Sequence, residues 1–271
     1  MKLFQRSASA IETMLSVLAW IGISFLTVLW TGLMGIIYLV HALVDPSRRI
    51  IHGIAGLWGR GLVASAAGTR VTVEGLENIP KDRPVIFMAN HQSYVDVPLL
   101  YFIRRNFKWM ADADLFRIPV FGWAMWMSGY IPVWRGNARE GIRALQKAEG
   151  WLKRGVSIFL FPEGTRSHTG VLGRFQTGGF RLAATTGVPI VPVLVVGTRF
   201  LLPRGTWIFR MGIQLKIRVL PPVVVAQSAS RAAEMHRLAN QVRSQMAAAY
   251  EQELKRYRSD GDHATMGPEM K

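Results

Sequence analysis

The sequence predicts a mixed α/β fold, with a central, mostly buried sheet flanked by helices, behind an N-terminal helical membrane anchor. Three observations predict it. The stretch from Thr13 to Val44 contains no Asp, Glu, Lys, Arg or Pro, and about 20 consecutive apolar residues suffice to cross bilayer hydrocarbon. From Arg70 onward, short apolar runs alternate with longer helical patterns, the signature of an α/β domain. At 271 residues and 50% hydrophobic composition, the chain has material for one sizeable core plus an appendage.

The anchor occupies residues 1–45. Its apolar run is long enough for one tilted helix or for two shorter ones, and we expect the two-helix form, with Gly32 and Gly35 as candidate break points. Lys2 and Arg6 precede the run, as in a secretory signal, but the run exceeds a signal's apolar core and no small-x-small cleavage site follows. A retained anchor is therefore expected. Residues 46–68 follow, with Ile50, Ile51, Ile54, Leu57, Trp58 and Leu62 at helical spacing and Arg48, Arg49 and Arg60 outside that face. This reads as an interfacial helix.

Residues 69–257 form the soluble domain. VTVEG, PVIFMA, YIPVW, VSIFLF, PIVPVLVV and QLKIRVL read as strands. Helices fit 93–104, 114–128, 138–154, 177–186 and 230–256. The second of these is too apolar for an exposed helix, and Trp123 and Trp126 suggest that it meets the membrane. Residues 258–271 lack apolar periodicity, and a disordered tail is expected there.

Lys and Arg outnumber Asp and Glu by 33 to 17, a formal net charge of +16, so the partner is anionic. Nucleic acid and anionic lipid both satisfy that. The basic residues are scattered and no nucleic-acid motif is present, whereas the apolar anchor selects an anionic membrane. There are no cysteines, which excludes disulfides, thiolate metal sites and cysteine nucleophiles.

Two stretches carry candidate chemistry. In NHQSYVD, Asn90 to Asp96, the chain turns from a strand into a helix. One reading is a helix start, with Ser93 as cap and Asp96 three residues later. The other is a base: Asp96 fixes the tautomer of His91 and frees its second nitrogen to take a proton from a hydroxyl. In FPEGTRS, Phe161 to Ser167, the chain leaves a strand through Pro162 and presents Glu163, Gly164, Thr165 and Arg166. Strand ends of α/β sheets bind ligands, and arginine beside backbone amides suits phosphate or carboxylate.

In this order, the stretches resemble the glycerophospholipid acyltransferase family, particularly the bacterial 1-acyl-sn-glycerol-3-phosphate acyltransferases. The N-H-x4-D block is matched by Asn90, His91 and Asp96, and G-x-[IL]-x-x-x-R by Gly129, Ile131 and Arg135. F-P-E-G-T-R-S is matched in full, and V-P-[IV]-x-P-V by Val188 to Val193. The resemblance implies that residues 69–257 are an acyltransferase domain with His91 as base and Asp96 as its support. It implies transfer of an acyl group from acyl-CoA or acyl carrier protein to the sn-2 hydroxyl of 1-acyl-sn-glycerol 3-phosphate, giving phosphatidic acid, without metal or bound cofactor. Arg135 and Arg166 are assigned to the acceptor phosphate, with Glu163, Gly164 and Thr165 shaping the pocket. The thioester donor implies the cytoplasmic face of a bacterial inner membrane.

Two departures from the family stand out. Asp112 and Gln176 occupy positions where the family usually carries lysine, with Lys108 and Arg174 nearby as possible replacements. They point to an alternative acceptor, another lysolipid such as a lyso-aminolipid. A non-catalytic lipid-binding protein is the rival outside enzymology.

Overall fold

The computed structural model describes residues 9–41, 44–66, 68–226 and 230–259. It opens with α1, Ala10–His41, one uninterrupted helix. The expected split at Gly32 and Gly35 is absent. Both glycines lie in open helix surface with no atom near a notional Cβ, and isolated glycines among strong helix formers weaken a helix without breaking it. Lys2 and Arg6 lie outside the described residues.

Helix α1 exposes apolar side chains on one side and docks on the domain with the other. Ile21, Phe25, Ile36 and Leu39 are exposed. On the docked side, Trp20 Nε1 donates to Trp207 O at 2.7 Å, Trp30 Nε1 to Ile54 O at 2.8 Å, and Phe209 N to Ser16 Oγ at 2.9 Å. The helix is thus tied to the domain along much of its length.

Helix α2 spans Arg49–Ala64. Its buried face is a small-residue face: Ile51, His52, Ala55, Gly56, Gly59 and Val63 are buried, while Ile50 and Leu57, from the apolar set expected to meet the membrane surface, are exposed. The small residues explain the difference, because a Cβ on Gly59 would lie 2.7 Å from the Tyr101 ring and 3.2 Å from Pro98 backbone. Close approach of backbones selects that face.

The domain follows as β1 (Arg70–Glu74), β2 (Ile86–Ala89), α3 (Asp96–Leu100), β3 (Phe107–Asp112), α4 (Phe121–Met127), β4 (Ile131–Val133) and α5 (Ala138–Lys153). It continues as β5 (Ser157–Leu160), α6 (Gly178–Thr186), β6 (Ile190–Val196), α7 (Thr198–Leu201), β7 (Gln214–Val219) and α8 (Arg231–Ser259). The strands form one seven-stranded sheet in the order β1-β7-β6-β2-β5-β3-β4. Strands β6, β2, β5, β3 and β4 run parallel; β7 turns antiparallel to β6, and β1 runs with β7.

Every residue of β2, β5 and β6 is buried, as expected for parallel strands covered on both faces. Strand alternation sorts them. Phe87, Phe159, Val193 and Val195 join α2 and α3 on one face, while Ile86, Met88, Ile158 and Leu194 join α5, α6 and α8 on the other.

Four further differences from the sequence reading are local. Strand β3 was not marked by patterning because Lys108 interrupts it, yet Lys108 is fully buried. The helix expected over 114–128 is broken by Pro119 into a 3-10 turn, Ala113–Arg117, and α4. The helix expected from Ser93 begins instead at Asp96 and is five residues long. The last helix runs to Ser259, so the first two positions of the expected tail are helical, and residues 260–271 lie outside the described residues.

Candidate active site

Strands β2 and β5 are neighbours, and their carboxyl ends deliver the two motifs to one place. At the end of β2, Asn90 is fully buried and extends the sheet with its side chain. Its Oδ1 accepts from Val195 N at 2.7 Å, and its Nδ2 donates to Val195 O at 2.9 Å. This bidentate bond to β6 fixes where the chain leaves the sheet.

The next residue, His91, turns its ring back onto the first turn of α3. Nδ1 lies 2.7 Å from Asp96 Oδ2. The same oxygen accepts from the amides of Gln92 at 2.6 Å and Ser93 at 2.9 Å. Asp96 is fully buried and His91 keeps 16% of its side chain exposed. With three donors arriving, the carboxylate has little freedom. Nδ1–H faces Asp96, so Nε2 is the nitrogen left open. The ring stacks on Phe161, centroids 3.9 Å apart at 11°, which fixes its plane. The Ser93 hydroxyl donates to Leu202 O at 2.9 Å and accepts from Val95 N at 3.3 Å, while Asp96 reaches back to the Ser93 amide, so part of the expected capping pattern forms ahead of α3.

The FPEGTRS turn supports this loop from β5. Glu163 is buried; its Oε1 accepts from His91 N at 3.0 Å and its Oε2 from Gly173 N at 2.7 Å. Burial pushes the Glu163 carboxyl up, and these two amides pull it back. Ser167 N donates to His91 O at 2.7 Å, so the turn grips the histidine backbone on both sides. Gly164 adopts φ +70, a conformation a side chain would strain. Thr165 is exposed on the same turn.

The two arginines stand at the rim. Arg166 lies over the exposed Tyr94 ring, 3.7 Å from its centroid. Arg135, at the end of β4, donates from Nη2 to Gly164 O at 2.7 Å and pairs through Nε with Asp112 at 3.0 Å. Asp112 also accepts from Asp114 N at 3.1 Å, so both of its oxygens are engaged. His91, Asp96, Glu163, Gly164 and Arg135 are thus linked by contacts, and Arg166 and Thr165 share their turn. Gln176 is exposed, and its backbone N–H donates to Pro162 O at 2.7 Å.

Sequence reasoning missed the support from α8. Tyr250, buried, donates to Gly170 O at 2.9 Å, and the Gln92 side chain bonds to its hydroxyl. Burial pushes the Tyr250 phenol up. Nothing local marks Tyr250, because its partners lie more than 70 residues away.

Comparison with known proteins gives the family. A family profile described as Acyltransferase matches residues 70–196. The chain is 41% identical over 166 residues to the chloroplast 1-acyl-sn-glycerol-3-phosphate acyltransferase LPAT1 of Arabidopsis thaliana, covering 60% of this chain and 46% of that one. It is 30% identical over 189 residues to the 1-acyl-sn-glycerol-3-phosphate acyltransferase of Pseudomonas aeruginosa, 68% of this chain and 72% of that one. Among solved structures it is similar to the 1-acyl-sn-glycerophosphate acyltransferase PlsC of Thermotoga maritima. The TM-score is 0.68 at 29% identity, over 86% of this chain and 97% of that one. The chain spans about half the length of the plant relatives it matches. Over fold, motifs and matched length together, the chain belongs to the 1-acyl-sn-glycerol-3-phosphate acyltransferase family.

Proposed function

We propose that the protein transfers a fatty acyl group from an acyl-CoA or acyl carrier protein thioester to the sn-2 hydroxyl of 1-acyl-sn-glycerol 3-phosphate, giving phosphatidic acid. The observation that carries this reading is the 2.7 Å contact between His91 Nδ1 and the buried Asp96, with Nε2 left open. The acceptor hydroxyl gives its proton to Nε2 as its oxygen attacks the thioester carbonyl carbon. Asp96 stabilises the imidazolium that forms. The tetrahedral oxyanion collapses, the carbon–sulfur bond breaks, and the imidazolium returns its proton to the leaving thiolate. The products are an ester and a free thiol, and no acyl-enzyme is formed. Backbone amides of the 163–166 turn are the candidate donors to the oxyanion.

Arg166 and Arg135 take the acceptor phosphate, while Glu163 and Gly164 hold the turn that presents it. The alternative acceptor, a lyso-aminolipid read by Asp112, has less support. Asp112 is already paired with Arg135 and accepts from Asp114 N, so an ammonium group would have to compete with the guanidinium for it. The reading needs neither metal nor redox cofactor, because the thioester is itself the activated donor.

The protein is membrane-associated through α1. The expected span is supported by its 32 residues and apolar composition, and its docking contacts from Ser16 to Trp30 support a retained segment over a cleaved leader. We place the domain on the cytoplasmic side of the inner membrane, where acyl thioesters are made. The test is acyl transfer by purified protein in liposomes, with labelled oleoyl-CoA and palmitoyl carrier protein offered against a panel of lysolipids. Product from lysophosphatidate above all other acceptors is expected. Transfer only to another lysolipid would overturn the acceptor, and no transfer from any pair by folded protein would overturn the reaction.

A further inference from the structure

Strand β4 is the free edge of the sheet, three strands from β2, roughly 14 Å across at ordinary strand spacing. The approach to β4 and the outer face of α5 enclose an open cleft of about 480 Å³, walled by Arg143, Lys147 and Arg154 with Trp151 beside them. The α5 carboxylates are already committed, Glu140 to Arg143 and Glu149 to Lys153. Lys147 and Arg154 have no carboxylate partner among the described residues. Arg154 lies 5.1 Å from the Trp151 ring centroid, and buried Lys108 approaches the same ring at 5.1 Å. With Arg143 shared with Glu140, the cleft carries the charges of Lys147 and Arg154 and has an aromatic wall.

A second cavity, of about 430 Å³, lies between α1 and α4. Its lining is almost wholly apolar and includes Tyr38, Leu39, Trp123 and Trp126. Leu39 is 82% exposed, Trp123 61% and Trp126 60%, so this groove opens outward on the side of the apolar helix. Gly129 and Arg48 join the two cavities. A Cβ on Gly129 would lie 2.7 Å from Trp151 and 3.0 Å from Arg48. Arg48 in turn reaches over Tyr38 at 5.3 Å and Trp126 at 5.7 Å. Its guanidinium also donates to Trp126 O at 2.6 Å and Met127 O at 3.1 Å.

A cationic cleft joined through one arginine to an apolar groove fits an amphiphile, not a free anion. We propose that this edge of the domain holds one anionic phospholipid of the surrounding bilayer, its phosphate among Arg143, Lys147 and Arg154 and one acyl chain along α1 and α4. The charge complementarity and the neighbouring apolar helix choose the occupant. The site is distinct from the reaction centre, since His91 follows β2 and Arg135 stands at the other end of β4. It would fix the height of the domain against the membrane. The inference rests on the membrane association of α1 and not on acyl transfer.

The test is native mass spectrometry of the full chain released from detergent, with dioleoyl phosphatidylglycerol against dioleoyl phosphatidylcholine as probes. Wild type is expected to retain one phosphatidylglycerol with about tenfold or greater preference. The triple variant R143Q/K147Q/R154Q should lose that preference, and Lys147→Gln alone, exposed and unpaired, should weaken it severalfold without disturbing the fold. Leu39→Asp should weaken retention of both lipids. Equal retention of the two lipids by wild type, or an unchanged preference in the variants, would overturn the proposal. Displacement of phosphatidylglycerol by millimolar inorganic phosphate would overturn it too, leaving a plain anion site. An inactive enzyme that still retains the lipid would refute the acyl-transfer reading and leave this one standing.

Discussion

Asp96→Asn keeps the shape of the side chain and removes its charge. Three N–H groups converge on Oδ2, from His91, Gln92 and Ser93, and only an oxygen can face them. The asparagine therefore turns its carbonyl there and puts its amide nitrogen where Oδ1 now sits, a position with no hydrogen-bond partner. A buried, unpaired donor costs about 1–3 kcal/mol, so the variant folds but melts earlier. The larger effect is on chemistry. When His91 takes the acceptor's proton, a cation forms beside the carboxylate. Unit charges ~4 Å apart interact by about 4 kcal/mol at an effective dielectric of 20, which is close to a thousandfold in rate. Steady-state kinetics should show kcat down by about that factor, with KM for the lysolipid little changed. A folded variant whose kcat stays within tenfold of wild type would refute the idea that Asp96 acts through His91.

Glu163→Ala leaves the His91 and Gly173 amides without their acceptor; about 2–4 kcal/mol of stability should go with it, and kcat should fall about a hundredfold as the histidine loop loosens, checked by thermal melts beside kinetics. Lys108 is fully buried, which lowers its pKa from 10.5 to about 7. Because the folded value is the lower one, its stabilising contribution is complete above the unfolded value near 10.5 and is lost as pH falls toward 7. Lys108→Met should therefore melt above wild type at pH 7, with the gap closing by pH 10; a gap constant with pH would contradict this. Asp112→Asn should release Arg135 from its ion pair and lower KM for lysophosphatidate by up to about fivefold, the scale of an exposed pair, an effect that 0.5 M salt should erase.

Much of this architecture was legible because it is local. Alternating apolar runs identify β2, β5 and β6, which are buried on both faces, and two heptapeptides place His91 and Glu163 on adjacent strand ends. What escaped depends on contacts distant in sequence. Strand β3 is hidden by Lys108, whose charge suggests a surface that the fold does not give it. The buried face of α2 follows from Gly59 meeting Tyr101, not from the size of its apolar residues. Asn90 belongs to a recognised block, but its use as a substitute strand residue exists only because β6 runs alongside. Tyr250 carries no signal at all until α8 brings it to Gln92. The pairing of Asp112 with Arg135 could not be read from the sequence, since each residue alone suggested a head-group contact.

The central claim is direct attack, with His91 as base and no acyl-enzyme. It is tested by mixing purified protein with radiolabelled oleoyl-CoA, first without and then with lysophosphatidate, beside His91→Ala. The account predicts no label on the protein before acceptor is added, labelled phosphatidic acid afterward, and at least a thousandfold slower transfer by the folded variant. Label bound covalently to the protein before acceptor, or product formed by His91→Ala at a comparable rate, would contradict it.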